Sequence, residues 1–233
     1  MDSQIGVVLQ ALKDAHLDKN TLIIFTSDHA EQLGDHYLFS KMGYFDSSYQ
    51  VPLVIRDPGS DADATRGASV DEFSESIDLL PTILEWAGLP VPRQCDGASL
   101  LPFVRGETPE DWRQEVHYEF DLRSGYHDPG KPVLGLGFDD GGLAVLRDRR
   151  YKYVHCTALP PALYDLTRDP GELVNCAADP AYVRVVAEYA QRMLTWRMRH
   201  AERTLTHLSA TPNGLVDRRV LLPARVPRDG QPV

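Results

Sequence analysis

Apolar and polar positions follow two different periods along this chain. Ile5, Val8, Leu9 and Leu12 recur at spacings of three and four, the apolar stripe of an amphipathic helix that Ser3 is placed to cap. Leu17-Asp18-Lys19-Asn20 ends that stripe and leads into Thr21-Leu22-Ile23-Ile24-Phe25, an unbroken apolar run rich in β-branched residues. Such a run predicts a strand buried on both faces of a parallel sheet. Helix then strand is half of a βαβ unit, and the strand expected before it is not in this sequence. Val51–Arg56 predicts a second apolar strand, and Asp57–Ala68, rich in Asp, Gly and Ala, an exposed loop. Asp78 is placed to cap a helix containing Leu80, Ile83, Leu84 and Ala87, with Pro81 in its first turn and Gly88 as its stop. Trp86 reads as core, and Pro90 and Pro92 mark a linker.

From Glu115 the period changes to two. Val116, Tyr118 and Phe120 alternate with Glu115, His117 and Glu119, the pattern of a half-buried strand. Leu143–Arg147, a turn at Asp148-Arg149-Arg150 and Tyr151–His155 predict a hairpin, and Leu163–Leu166 one more strand. Together they predict a small antiparallel sheet. Glycine-rich Ser124–Gly142 predicts a long mobile loop within it. Asp179-Pro180 predicts a helix start, a cap followed by proline. Tyr182, Val185, Val186, Tyr189, Met193 and Trp196 then form one stripe that should close a face of the sheet. After Leu205 the chain is polar, with Arg218, Arg219, Arg225 and Arg228 and too little apolar material to fold alone. It is either a disordered tail or an arm embracing another subunit.

Composition narrows the function classes. The 233 residues carry a formal net charge of −10, which argues against nucleic acid as a bulk partner. No apolar run is long enough to span a bilayer, and Met1 opens no secretory signal, so a cytoplasmic location without a membrane partner is expected. Cys95, Cys156 and Cys176 are odd in number and far apart without CxxC spacing, as free thiols in a reducing compartment would be.

The candidate chemistry sits where the first strand stops, in Thr26-Ser27-Asp28-His29-Ala30-Glu31-Gln32-Leu33-Gly34-Asp35-His36. Strand carboxyl ends gather ligands in open α/β sheets. Asp28 and His29 are two candidate metal ligands, and both reach one metal only if the chain bends there. The alternative is an ordinary polar turn closing a strand. Lys41, in Phe39-Ser40-Lys41-Met42-Gly43-Tyr44-Phe45-Asp46, is either a solvated surface lysine or a point charge for an anionic oxygen or a leaving group.

The block from Thr26 to Pro58 resembles the sulfatase branch of the alkaline-phosphatase superfamily, where Thr-Ser-Asp-His-Gly is followed by Gly-Asp-His, a lysine and Val-Pro-Leu. Tyr44-Phe45-Asp46, Ile55-Arg56-Asp57-Pro58 and Val91–Gly97 are most similar to the phosphonate monoester hydrolases, and the likeness runs to about Arg219. The resemblance implies an α/β fold: the C-terminal part of a mixed sheet sandwiched by helices over residues 1–110, a small α+β subdomain over 111–205 and a tail or oligomerisation arm over 206–233. It implies Asp28 and His29 as ligands of one divalent metal (Mn²⁺, Zn²⁺ or Ca²⁺, with Mg²⁺ open), Lys41 as the substrate-contacting lysine, and a homo-oligomeric intact enzyme. Asp35 and His36 belong to the motif as supporting or structural groups. Ala30 replaces the usual glycine, which matters if φ is positive there.

The implied activity is metal-dependent hydrolysis of a small anionic phosphonate or phosphate ester, or of a sulfate ester as in the arylsulfatases. The family's nucleophile, a formylglycine-forming cysteine or a serine in Cys/Ser-x-Pro/Ala-x-Arg, has no counterpart here, since the segments after Cys95, Cys156 and Cys176 lack the arginine. This is the pattern of the C-terminal portion of a longer enzyme, inactive alone. The competing expectation is a truncated, non-catalytic remnant with a structural or assembly role.

Overall fold

The computed structural model describes residues 1–92, 94–121, 140–200, 208–211 and 214–217. Helix α1 (Asp2–Asp14) forms where the stripe predicts it, but Met1 rather than Ser3 is its N-cap, and no side chain caps it. Among the described residues its apolar face is only partly covered: Ile5 and Leu12 are half-buried, but Val8 is 62% exposed. Strand β1 (Ile23–Thr26) pairs antiparallel with β2 (Leu53–Arg56), in register Ile23 with Arg56 and Thr26 with Leu53. Its four residues are half-buried. Among the described residues its partner is therefore antiparallel, not the expected parallel neighbour. The long connection between β1 and β2 returns the chain antiparallel, and an apolar run does not encode its partner's direction.

Between these strands lies α2 (Asp46–Tyr49), a single turn. The segment after β2 is more ordered than its composition predicts: Ser60–Thr65 is a 3-10 helix, with Asp57 and Ala62 buried. Helix α3 (Leu79–Trp86) stops at Gly88, whose φ of +69° suits a residue without a Cβ. Asp78 precedes α3 but does not cap it. Its carboxylate instead accepts from the Glu75 and Ala98 backbone N–H groups and from Arg113. Trp86 is half-buried, and its indole N–H donates to Asp57. Leu100, Phe103 of the short α4 (Leu101–Val104) and Trp112 form a core cluster against Leu53, Ile55 and Leu79.

The second layer is the predicted antiparallel sheet, in the order β3 (Glu115–Asp121), β4 (Gly142–Asp148), β5 (Tyr151–Cys156) and β6 (Ala162–Asp165). The expected loop from Ser124 falls almost wholly outside the described residues. Asp179 accepts from the Ala181 N–H and starts a 3-10 turn that runs into α5 (Val183–His200). Tyr189 and Met193 of α5 pack on Ala144, Leu146, Tyr151, Tyr153 and Leu163, closing one face as the stripe predicts. The opposite face packs Val145, Val154 and Tyr164 against Phe45, Tyr44 and Leu38 of the β1–β2 connection. The nominally polar face of β3 is also covered: His117 stacks on Trp196 of α5 at 4.3 Å between ring centroids, and Glu115 pairs with Arg192. Within residues 206–233, β7 (Leu208–Thr211) pairs antiparallel with β8 (Gly214–Asp217).

Candidate functional site

Strand β1 ends at Thr26, and the chain bends at once, the Ser27 hydroxyl donating to the His29 carbonyl at 2.7 Å. That bend puts two neighbours, which a continuing strand would send to opposite faces, on one side. His29 Nε2 lies 3.7 Å from Asp28 Oδ2. The other ring nitrogen, Nδ1, is 2.7 Å from the Ala30 carbonyl, which can only accept. Nδ1 therefore donates to that carbonyl, which leaves Nε2 turned toward the carboxylate, the orientation a supporting hydrogen bond gives a metal-ligating imidazole. Asp28 is largely exposed, and its carboxyl is held below the ordinary carboxylate value, chiefly by neighbouring His29, with backbone N–H groups and the charge of Lys41 acting the same way. The structure brings Asp28 and His29 together; Lys41 is exposed, and its charge is the weakest of the influences on Asp28. Among the described residues, no group of three or more His, Cys, Asp or Glu side chains could hold a metal ion. Asp28 and His29 are a two-donor set.

Ala30 does not have a positive φ, so its methyl is accommodated without strain. The loop beyond it is cross-braced. The Ala30 N–H donates to the Ser48 carbonyl at 2.9 Å and that of Gln32 to Ser40 at 3.1 Å. Gln32, 1% exposed, donates its amide to the Met42 carbonyl and accepts from Ser47, while Glu31 accepts from the Ser40 N–H. Leu33, His36, Tyr37 and Ser40 all have positive φ, a concentration of left-handed backbone that non-glycine residues rarely adopt. Asp35 is exposed and touches neither Asp28 nor His29 through any hydrogen bond described here. His36 stacks flat on Phe45 at 3.5 Å between ring centroids. Its contact is structural: it pins the loop tip to a residue that is buried against the sheet.

The sequence reading missed the braces Glu31 and Gln32, and a buried group that holds the far end of this loop, Asp46, Lys152 and Glu172. Lys152, a lone charge inside the otherwise apolar strand β5, was the available signal. A cleft of 280 Å³ opens between β3 and α5, lined by Glu115, Arg192, Trp196 and Arg199 among others; Asp28, His29 and Lys41 do not line it.

A family model described as N-sulphoglucosamine sulphohydrolase, C-terminal, matches residues 34–199. The multifunctional alkaline phosphatase superfamily protein PehA of Trinickia caryophylli is 51% identical over 218 residues, 94% of this chain and 42% of that protein. The crystal structure of the phosphonate monoester hydrolase of Agrobacterium radiobacter superposes with a TM-score of 0.82 at 46% identity, over 94% of this chain and 43% of the other. Arylsulfatase K of Rattus norvegicus is 31% identical over 76% of this chain and 30% of its own length. The chain thus spans less than half the length of each of these relatives.

Proposed function

The chain belongs to the N-sulphoglucosamine sulphohydrolase C-terminal family, within the sulfatase branch of the alkaline-phosphatase superfamily, and on that premise we propose that it forms part of a metal-dependent hydrolase of phosphonate or phosphate monoesters. The observation that carries this reading is the pair at the end of β1, His29 Nε2 beside Asp28 Oδ2 at 3.7 Å. Ester hydrolysis of a tetrahedral anion needs an activated nucleophile, neutralised anionic oxygens and a protonated leaving oxygen. A divalent metal supplies Lewis acidity for the first two needs. Asp28 and His29 would hold it, and the mixed oxygen and nitrogen set suits Mn²⁺ or Zn²⁺, with Ca²⁺ also compatible. Lys41 supplies a mobile positive charge for a non-bridging oxygen or the leaving group. The nucleophile and the further metal donors come from residues other than these three.

The name of the A. radiobacter relative, a phosphonate monoester hydrolase, supports phosphonate over sulfate as the substrate class. The arylsulfatase relative supports the second reading, a sulfuric ester hydrolase, since sulfate and phosphonate monoesters present similar tetrahedral anions. No helix among the described residues is long and apolar enough to cross a membrane.

Equilibrium dialysis of the 233-residue chain against Mn²⁺, Zn²⁺ or Ca²⁺ tests the site, beside Asp28→Ala and His29→Ala. Saturable uptake lost in both variants supports the assignment. Uptake that both variants retain unchanged would overturn it.

A further inference from the structure

Lys152 is a buried cation that the proposed chemistry does not use. Its side chain, on β5, is 0% exposed. The ammonium lies 2.5 Å from Asp46 Oδ1, pairs with Glu172 Oε1 and donates to the Tyr44 carbonyl at 3.2 Å. Every hydrogen-bond and ion-pair partner but Glu172 belongs to the three residues Tyr44-Phe45-Asp46. Other elements of the second layer grip the same three. Arg147 of β4 pairs with Asp46 at 2.9 Å, and the second carboxylate oxygen of Glu172 accepts from the Asp46 N–H at 2.7 Å. The Tyr118 hydroxyl of β3 donates to the Tyr44 carbonyl at 2.9 Å, and the Tyr44 and Tyr164 hydroxyls meet at 3.1 Å. Glu172 holds its place with φ at +56°.

Such an arrangement is a poor device for stability alone. Desolvating ions costs several kcal/mol each, and a well-packed apolar set of the same volume is often as stable. What the cluster does give is a fixed position. Two cations, Lys152 and Arg147, balance two carboxylates, Asp46 and Glu172, so residue 46 has one electrostatically satisfied location. Lys41 stands three residues before Tyr44, on a loop whose only regular structure is a single 3-10 turn. We propose that Lys152 is a positioning residue: by clamping Tyr44–Asp46 to the antiparallel sheet, it fixes the end of the loop that carries Lys41. The inference rests on the reading of Lys41 as the anion-contacting lysine.

The test compares the wild-type chain with Lys152→Met/Glu172→Gln, which removes both charges and so leaves no uncompensated buried carboxylate. Asp46→Asn weakens the same clamp without touching β5, and serves if the double variant fails to fold. Hydrogen exchange read by peptide should rise about tenfold or more over residues 30–46 while β4, β5 and α5 keep their protection, the signature of a locally released segment. Unchanged exchange over 30–46 in both variants would overturn the proposal. The second readout is inorganic phosphate binding in Mn²⁺. Lys41→Met and the double variant should each weaken it, and combining them should cost little more, because both remove the same positioned charge. Full additivity would mean that the clamp acts independently of Lys41, and would overturn the positioning role. If phosphate binding by the wild type does not depend on Lys41, the functional reading of Lys41 falls. The exchange comparison then still decides whether Lys152 holds the loop.

Discussion

Arg113 grips Asp78 from two sides: Nη2 donates to Oδ1 at 2.6 Å and Nη1 donates to Oδ2, with Asp78 fully buried. The same carboxylate accepts from the Glu75 N–H at 2.8 Å and the Ala98 N–H at 2.9 Å. One side chain thus ties the turn before α3, the segment before α4 and the entry to β3. Arg113→Leu leaves that carboxylate buried and uncompensated, and should cost about 3–5 kcal/mol in urea unfolding. Asp78→Asn keeps one acceptor and the packing, and should cost less. A loss below ~1 kcal/mol for Arg113→Leu would show that the carboxylate finds other compensation.

Gly97 lies against the same turn. A Cβ there would meet the Ile77 carbonyl oxygen at 2.2 Å and the Asp78 nitrogen at 2.8 Å, both backbone atoms that cannot rotate away. Gly97→Ala should therefore destabilise by about 1–3 kcal/mol or more, the cost of forcing a packed backbone apart. A thermal midpoint equal to wild type would contradict this close approach.

Arg192 of α5 donates to Glu115 Oε2 through Nε at 3.0 Å and to Asp148 Oδ2 at 3.0 Å, and Tyr189 donates to that second carboxylate as well. Burial opposes ionisation of both acids, but hydrogen bonds from His117 and Arg192 to Glu115, and from the Tyr151 N–H, Tyr189 and Arg192 to Asp148, outweigh it and hold both below the ordinary range. Acids with depressed folded values contribute stability that is complete above the unfolded value of about 4 and is lost as pH falls through the folded values. Arg192→Met should lower stability at pH 7 by roughly 1.5–3 kcal/mol, the range for hydrogen bonds to charged groups. The gap from wild type should narrow below about pH 4. Denaturation curves at pH 7, 5 and 3 check this, and a gap that does not change with pH would sink it.

Several elements were legible because a period encodes them. The stripe from Tyr182 to Met193 fixed both α5 and the face it covers, and the alternation around Asp148 fixed the β4–β5 hairpin. A bend after β1 was expected if Asp28 and His29 were to face one metal, and Ser27 makes one. What was not legible depends on partners far away in sequence. Asp78 looks like a helix cap in isolation, but Arg113 claims its carboxylate from 35 residues away. Lys152 reads as one more hairpin residue until Asp46 and Glu172 arrive beside it. The antiparallel return of β2 is set by the packing of the connection and not by either strand's own residues.

At alkaline pH the tyrosines dominate. Burial raises Tyr49 to about 12, and Tyr118, Tyr164 and Tyr189 are raised as well, burial again the leading cause. Tyr49 stacks on Tyr118 at 4.0 Å between centroids and donates to the Gly43 carbonyl, so both phenols belong to the packing that supports the Lys41 loop. In the unfolded chain these phenols ionise near pH 10. An acid whose folded value is raised contributes stability that is fully present below the unfolded value and is lost as pH rises through the folded one. Between about pH 10 and 12 the unfolded chain therefore releases protons that the folded chain keeps, and the folded state weakens steadily. Phenolate absorbance should rise in two stages: a fast one near pH 10 from phenols open to solvent, and a second above pH 11 that coincides with loss of helical circular dichroism. Tyr49→Phe and Tyr118→Phe should each reduce the amplitude of the second stage and leave the first unchanged. A single fast titration of every tyrosine near pH 10, with the helical signal intact, would show that these phenols are open to solvent and that the sheet does not seal the base of the loop.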